Sequence, residues 1–237
     1  MYIQRSLKDI FGRPKRFCFN NFDFLHQAFK ILNMNFIDII SGKNKGSLAT
    51  LMRLFLVVPS ILYSFIIRLR NFGYNIGLLK VNKFDIPIIC VGNLTAGGTG
   101  KTPMVIWLCQ YLQKKGYSTA LLSRGYKGDS DGTNDEMRLL EDSLGSTRFY
   151  INSDRVASAQ LAIDEGAMAI VMDDGYQHRS LGRSLDILMI DGLCPFGYHR
   201  ILPAGLLREP ISGAKRAGVA VISRADVADS KTIDQAK

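Results

Sequence analysis

Residues Ile88–Pro103 read IICVGNLTAGGTGKTP: an apolar run, then a glycine-rich turn ending in Gly100-Lys101-Thr102, with an apolar helical segment directly after. Strand, flexible turn and helix N-terminus, in that order, make a phosphate cradle. Glycines let backbone N–H groups converge on phosphate oxygens, and the helix dipole adds positive potential there. In such a loop Lys101 reaches the β- and γ-phosphates and the Thr102 hydroxyl sits on Mg²⁺. Thr95, Ala96, Gly97, Gly98, Thr99, Gly100, Lys101 and Thr102 are therefore the expected nucleotide-binding residues. The strict Gly-x4-Gly-Lys-Thr spacing would put glycine where Thr95 stands. A glycine turn without a ligand is the alternative; the flanking strand and helix weigh against it.

A second string supports the first. Met168–Asp174, MAIVMDD, is an apolar run ending in two carboxylates. A buried parallel strand that ends in Asp delivers it to the carboxyl edge of the sheet, where open α/β folds bind ligands. In P-loop enzymes such an Asp holds Mg²⁺ directly or through water, so Asp173 and Asp174 are expected to serve the metal. An ordinary strand followed by an Asp turn looks the same in isolation.

From Ile86 onward, strand and helix patterns alternate. Strands are predicted at Ile86–Val91, Thr119–Ser123, Arg148–Ile151, Met168–Met172, Asp186–Ile190 and Val219–Ser223, and helices at Thr102–Lys115, Asp135–Ser143 and Ser153–Glu165. This order predicts an α/β fold, a mostly parallel sheet of the P-loop NTPase type flanked by helices. Gly192–Gly213 is long, carries three prolines and lacks apolar periodicity, the mark of a functional loop.

The chain has 237 residues, 47% hydrophobic, enough for one full domain with additional parts. Its net charge of +9 is uneven: residues 1–84 carry 13 Lys/Arg against 3 Asp/Glu, whereas residues 85–237 are close to neutral. A nucleotide enzyme needs no such excess; an anionic membrane surface or a nucleic acid would account for it. Cys18, Cys90, Cys109 and Cys194 form no CxxC pair, and buried free thiols are expected. No apolar h-region of a secretory signal is read near the N-terminus.

Leu48–Arg70, LATLMRLFLVVPSILYSFIIRLR, is uncharged only from Leu54 to Ile67. That is shorter than the roughly 20 residues a spanning helix needs, and Pro59 interrupts it. Arg53, Arg68 and Arg70 flank it, with Lys43 and Lys45 upstream. The pattern predicts a helix lying in the headgroup region of a membrane, with a buried core helix and a true span as alternatives. The long aliphatic runs between the basic residues suit lipid better than a nucleic acid, so no nucleic-acid partner is expected. The expected organisation is a 1–33 extension outside the fold, with Met34 as a possible initiator, a basic apolar segment at 34–84 and a P-loop domain at 85–237.

VGNLTAGGTGKTP (Val91–Pro103), SRGY (Ser123–Tyr126), NDE (Asn134–Glu136), DDGYQH (Asp173–His178) and LPAGLLREP (Leu202–Pro210), with Arg70-Asn71 upstream, together resemble the tetraacyldisaccharide 4′-kinase family over roughly residues 34–230. The resemblance implies transfer of the ATP γ-phosphoryl group to the 4′-hydroxyl of an acylated glucosamine disaccharide 1-phosphate, in lipid A biosynthesis, at the cytoplasmic face of the inner membrane. It implies ATP and Mg²⁺ as cofactors, Lys101 in charge neutralisation and Asp135 as general base for the sugar hydroxyl; a helix-capping carboxylate is the plainer role for Asp135. Glu209 is implied near Mg²⁺ or its water shell. Arg124, Arg155 and Arg208 are implied at anionic groups of nucleotide or sugar, with Gln177 nearby. His178 is open between acid–base work and a structural role.

The chain departs from the family at Asn134, where glycine is usual, and at Tyr176, where phenylalanine is typical. The family continues into a smaller C-terminal domain, so a C-terminally truncated member is expected. A membrane-cycling P-loop ATPase of the partition or septum-positioning type is the rival reading. Those carry a lysine in the loop where this chain has Ala96.

Overall fold

A computed structural model describes residues 35–124, 135–145 and 147–236, apart from the side chains of 135–137, 231, 235 and 236. The expected 1–33 extension, Cys18, Met34, Gly125, Tyr126 and Asn134 lie outside the described residues. Residues up to Asn44 form one unit and Lys45–Lys237 another. The first unit contains a short helix, α1 (Phe36–Ile40), whose N-terminus is capped by the Asn35 side chain accepting from Ile37 N at 3.1 Å.

The second unit holds six strands: β1 (Ile88–Gly92), β2 (Thr119–Ser123), β3 (Arg148–Ile151), β4 (Ala169–Asp173), β5 (Leu185–Asp191) and β6 (Val219–Ser223). They form one sheet in the order β3-β2-β4-β1-β5-β6, with every pair parallel. The chain leaves β1 toward β2 and β3, returns through β4, then crosses β1 to reach β5. That reversal beside β1 is the topological switch point of an open α/β sheet, where a crevice forms at the carboxyl ends of the strands. Register makes the consequence specific: Val91 lies opposite Asp173, so the glycine turn after β1 and the carboxylates after β4 leave the sheet side by side.

Helices cover both faces. α3 (Lys101–Lys114) and α4 (Asp135–Ser143) belong to one, α5 (Arg155–Asp164) to the other, and α6 (Ser230–Ala236) follows β6. Period-two alternation sends Val91, Leu121 and Val171 toward Val105, Leu108 and Leu112 of α3. It sends Cys90, Ala120, Leu122, Ile170 and Met172 toward Ala159 and Ala162 of α5. β4 is buried along its whole length, which is why its sequence is a continuous apolar run. Cys90 and Cys109 are free and buried, as expected, and burial pushes the Cys109 thiol up to about 12.

The segment before β1 differs from its expected form. α2 (Ser47–Asn75) is one continuous 29-residue helix that runs straight through Pro59. It ends where Gly77, at φ 75°, adopts the left-handed conformation and Leu79 N donates to Gly73 O. One stripe of α2 faces the domain: Leu56, Ser60, Tyr63, Ile67 and Asn71, at spacings of three and four. Its polar members bond to the domain. Ser60 Oγ donates to Ile201 O at 2.7 Å, Tyr63 OH to Arg208 O at 3.1 Å, and Asn71 Nδ2 to Glu209 Oε2 at 3.0 Å. The other faces are apolar and open to solvent, from Leu51 through Phe55, Val58, Leu62 and Phe65 to Phe72. The long helix of the 34–84 segment is thus bonded to the unit that holds the strands. The proline break is overridden by packing: docking along the inward stripe outweighs a penalty of about 3 kcal/mol for proline inside a helix.

Candidate active site

The turn after β1 is fixed from within. Asn93 Nδ2 donates to Thr99 Oγ1 at 2.9 Å, tying the start of the turn to its end, and Asn93 and Thr99 are both buried. Gly100 sits at φ 73°, a left-handed conformation that glycine takes without strain, and it starts α3 without a side-chain cap. The first-turn N–H groups of α3 thus face the loop, as anion binding requires. Gly97 and Gly98 are exposed, and a Cβ on either would meet nothing within 4 Å, so the middle of the loop borders open space. Thr95 and Ala96 are held from outside. Ala96 N donates to Leu206 O at 2.7 Å, and Thr95 bridges to Leu207. The long 192–213 loop thus forms a wall of the glycine turn, which accounts for its lack of periodicity.

Lys101, the first residue of α3, is almost fully buried, and its Nζ lies 3.5 Å from Asp174 Oδ1. Asp174 is also held by Arg208 Nη1, at 2.9 Å to Oδ1 and 2.8 Å to Oδ2. Burial alone would raise the Asp174 carboxyl; Arg208 and Lys101 more than reverse this and hold it below the usual carboxylate range. Asp174 takes a left-handed backbone, φ 48°, directly after Asp173 closes β4. Lys101, Asp174 and Arg208 come from three distant stretches of sequence and meet at one point beside the glycine turn. Two cations on one carboxylate leave a net positive centre, suited to an anionic ligand.

Asp173 is buried at the end of β4, one strand from the glycine turn, while Thr102 is half-buried in the first turn of α3. Among the described residues no three His, Cys, Asp or Glu side chains gather as a metal cluster. Mg²⁺ asks for less: one or two protein oxygens, with phosphate and water oxygens completing the octahedron. Thr102 and Asp173 can supply that pair. Asp174, expected beside the metal with Asp173, has both carboxylate oxygens on Arg208 instead.

Two other expected ligands are used internally. Glu209 is fully buried and bonds Arg216 Nη2 at 2.8 Å, Gln177 Nε2 at 3.0 Å and Asn71 Nδ2 at 3.0 Å. Both oxygens are bonded within the protein, because a buried carboxylate needs its charge and lone pairs satisfied on the spot. Arg155 is 3% exposed and donates to Asn152 O and Asp173 O. It pins the end of β4. Gln177, between Asn93 O at 2.8 Å and Glu209, links the turn after β4 to the glycine turn.

His178 Nε2 lies 3.0 Å from Ser180 Oγ, and burial, helped by Arg155 and Arg183, pushes its pKa down to about 4. The ring is neutral near pH 7. Arg124 is exposed one residue past β2, at the same carboxyl edge of the sheet. Asp135 is the first residue of α4, and its side chain lies outside the described residues.

Several residues of the site carried no signal of their contacts in the sequence. Arg183 Nη1 donates to Gly175 O at 3.0 Å and its Nε pairs with Asp186 at 3.2 Å, clamping the turn after β4. Tyr176 is fully buried. Its OH donates to Gly213 O at 2.8 Å, and Arg216 lies 4.7 Å from its ring centre. Gly92 admits it: a Cβ there would lie 2.7 Å from Tyr176 Cβ. Tyr63 and Asn71 reach the site from α2. The Asn93 of VGN and the Asn71 of Arg70-Asn71 were visible as parts of strings, but not as contacts.

Residues 52–237 match the family model described as tetraacyldisaccharide-1-P 4′-kinase. A tetraacyldisaccharide 4′-kinase of Geobacter sulfurreducens is 39% identical over 204 residues, covering 78% of this chain and 58% of that protein. One of Halothermothrix orenii is 38% identical over 215 residues, covering 83% and 56%. The chain thus spans a little over half the length of these relatives. Among solved structures, LpxK from Aquifex aeolicus, in complex with ATP, aligns with a TM-score of 0.68 at 35% identity, covering 74% of this chain and 60% of that one. The family model runs from within α2, through the glycine turn and the Asp174–Arg208 pair, to the last residue. By that match the chain belongs to the tetraacyldisaccharide 4′-kinase family.

Proposed function

We propose that this protein uses Mg²⁺-ATP to phosphorylate the 4′-hydroxyl of a tetraacylated glucosamine disaccharide 1-phosphate, a step of lipid A biosynthesis, at the cytoplasmic face of the inner membrane. The observation that carries the reading is the meeting of Lys101, Asp174 and Arg208 beside the glycine turn in a chain of this family. The relative from Aquifex aeolicus binds ATP, which supports the same ligand here.

The residues divide the work. N–H groups of the glycine turn and of the first turn of α3 bind the phosphates, and Lys101 places a point charge at the β- and γ-phosphates. Arg208, on the far side of Asp174, stabilises charge that develops on the transferred group. Asp135 takes the proton of the 4′-hydroxyl as its oxygen bonds to the γ-phosphorus and the bond to ADP breaks. Thr102 and Asp173 would hold Mg²⁺, which when bound neutralises phosphate charge. Arg124, exposed at the same edge, is placed to meet an anionic group of the acceptor. The solvent-facing apolar side of α2 rests on the membrane, with Arg53 and Arg68 among the cations near lipid phosphates. A groove of about 560 Å³ between α2 and residues 200–204, lined by Val57, Ile61, Phe65, Arg68 and Arg200, opens on α2. No observation favours the partition-type ATPase.

The test is transfer of labelled γ-phosphate from ATP to the acylated disaccharide. Lys101→Ala is expected to abolish it. Asp135→Asn is expected to lower kcat by about 10²–10⁴-fold with KM for ATP little changed, because a base acts in the transition state. Undiminished transfer by Lys101→Ala, or a KM effect alone from Asp135→Asn, overturns the assigned roles.

A further inference from the structure

The inward stripe of α2 does more than attach a helix. Arg208, which holds Asp174, has its backbone carbonyl bonded by Tyr63 OH, and the next residue, Glu209, has its carboxylate bonded by Asn71. Asp174 opens the turn that runs to Arg179, and Arg179 bonds back to α2, through Nη1 to Asn71 O at 3.0 Å and Nη2 to Asn75 Oδ1 at 2.9 Å. Both members of the Asp174–Arg208 pair therefore sit on segments whose far ends are tied to the same helix. The Arg208 segment also touches the glycine turn, Arg208 N donating to Leu94 O at 2.7 Å and Leu206 O accepting from Ala96 N. The path from Tyr63 to the Asp174 carboxylate is one residue long.

We propose that α2 is a positioning element of the nucleotide site, with Tyr63 and Asn71 as its positioning residues: they set the Arg208–Glu209 backbone so that the guanidinium meets Asp174 beside Lys101. The proposal rests on the kinase reading above and adds to it a role for the inner face of α2, separate from the outer apolar face. A hydroxyl-to-carbonyl bond is worth little in total stability. Its loss matters because Arg208 reaches both Asp174 oxygens through the single nitrogen Nη1, and a shift of an ångström at its backbone breaks that contact.

The test compares Tyr63→Phe, Asn71→Ala and Asn71→Asp with Phe55→Ser, a change on the outer face away from the groove, in the full chain. Three quantities are read: kcat and KM for Mg²⁺-ATP with the acylated disaccharide dispersed in detergent, deuterium exchange of the Ala96 and Arg208 amides, and binding to anionic phospholipid vesicles. Tyr63→Phe and Asn71→Ala are expected to lower kcat about three- to tenfold, the size of one hydrogen bond, to speed exchange at both amides, and to leave vesicle binding unchanged. Asn71→Asp is expected to lose more, since it sets a second carboxylate against buried Glu209, and adding Glu209→Gln to it is expected to recover part of the loss. Phe55→Ser is expected to weaken vesicle binding alone. Unchanged exchange and kcat in Tyr63→Phe and Asn71→Ala, or a loss confined to KM or to vesicle binding, overturns the proposal. If the wild-type chain transfers no phosphate to this acceptor, the kinase reading fails, and the exchange rates still decide whether α2 positions the Arg208 segment.

Discussion

Asp174 shows how much chemistry one residue can concentrate. Its left-handed backbone costs of order 1 kcal/mol for a non-glycine residue, and such strain persists only where the surroundings impose it. Here the surroundings are two cations on one carboxylate. Lys101 and Asp174 were legible in the sequence because each closes a short pattern, glycine turn or apolar strand, that places it at the same edge of a parallel sheet. Glu209 and Arg155 were not, because a charged residue in a motif looks the same whether its partner is a ligand or another side chain. Only the contacts with Arg216, Asn71 and the Asp173 carbonyl show which partners they take within the protein. His178 carries a prediction of its own. Its folded pKa lies near 4 against an ordinary 6.5, so the unfolded chain takes up its proton first as pH falls. The stability it contributes is complete above pH 6.5 and is lost between pH 6.5 and about 4. His178→Gln is expected to flatten that part of the stability–pH curve, seen as denaturant midpoints at pH 7.5, 5.5 and 4.5. The slope removed stays below about 1.4 kcal/mol per pH unit, because the half-buried ring is partly screened. A difference between wild type and variant that does not vary with pH contradicts the assignment.

At the scale of elements, α2 is where the sequence pattern and the structure part most. Its charge-free run is short and contains a proline, and both features argue for a broken, surface-lying segment. The helix instead runs 29 residues because its inward stripe carries Ser60, Tyr63 and Asn71, whose polar atoms are satisfied by the domain and not by the helix itself. Hydropathy counts these as interruptions of an apolar face, whereas in the structure they are the docking face. Pro59 is exposed and removes the bond that Phe55 O would accept. Pro59→Ala is expected to stabilise the protein, by up to about 3 kcal/mol, with no loss of phosphoryl transfer. A denaturation midpoint that falls would mean that the proline sets a bend the docking needs. By contrast, β1 to β6 match their predicted positions to within two residues, because buried parallel strands are short apolar runs bounded by turns.

For the whole molecule, the consequence is that the long apolar helix α2 and the glycine-turn site belong to one unit. Deleting residues 46–75 is expected to leave Ile201 O, Arg208 O and Glu209 Oε2 without their partners on α2. It should therefore lower the thermal midpoint and abolish phosphoryl transfer even to an acceptor dispersed in detergent. A deletion variant that stays as stable as the parent and keeps transfer to the dispersed acceptor would reduce α2 to an anchor. Local pattern was enough to specify the alternation of strand and helix, the parallel sheet, the glycine turn and the carboxylates at its edge. These follow from local periodicity and from the handedness of strand–helix–strand connections, which act over tens of residues. The tertiary structure alone decided which charged side chains face the crevice and which are consumed in pairing, and that α2 turns its polar stripe inward. The Asp174–Arg208 pair and the bonds from α2 join residues more than 30 positions apart in the chain, and nothing in their local spacing records the meeting.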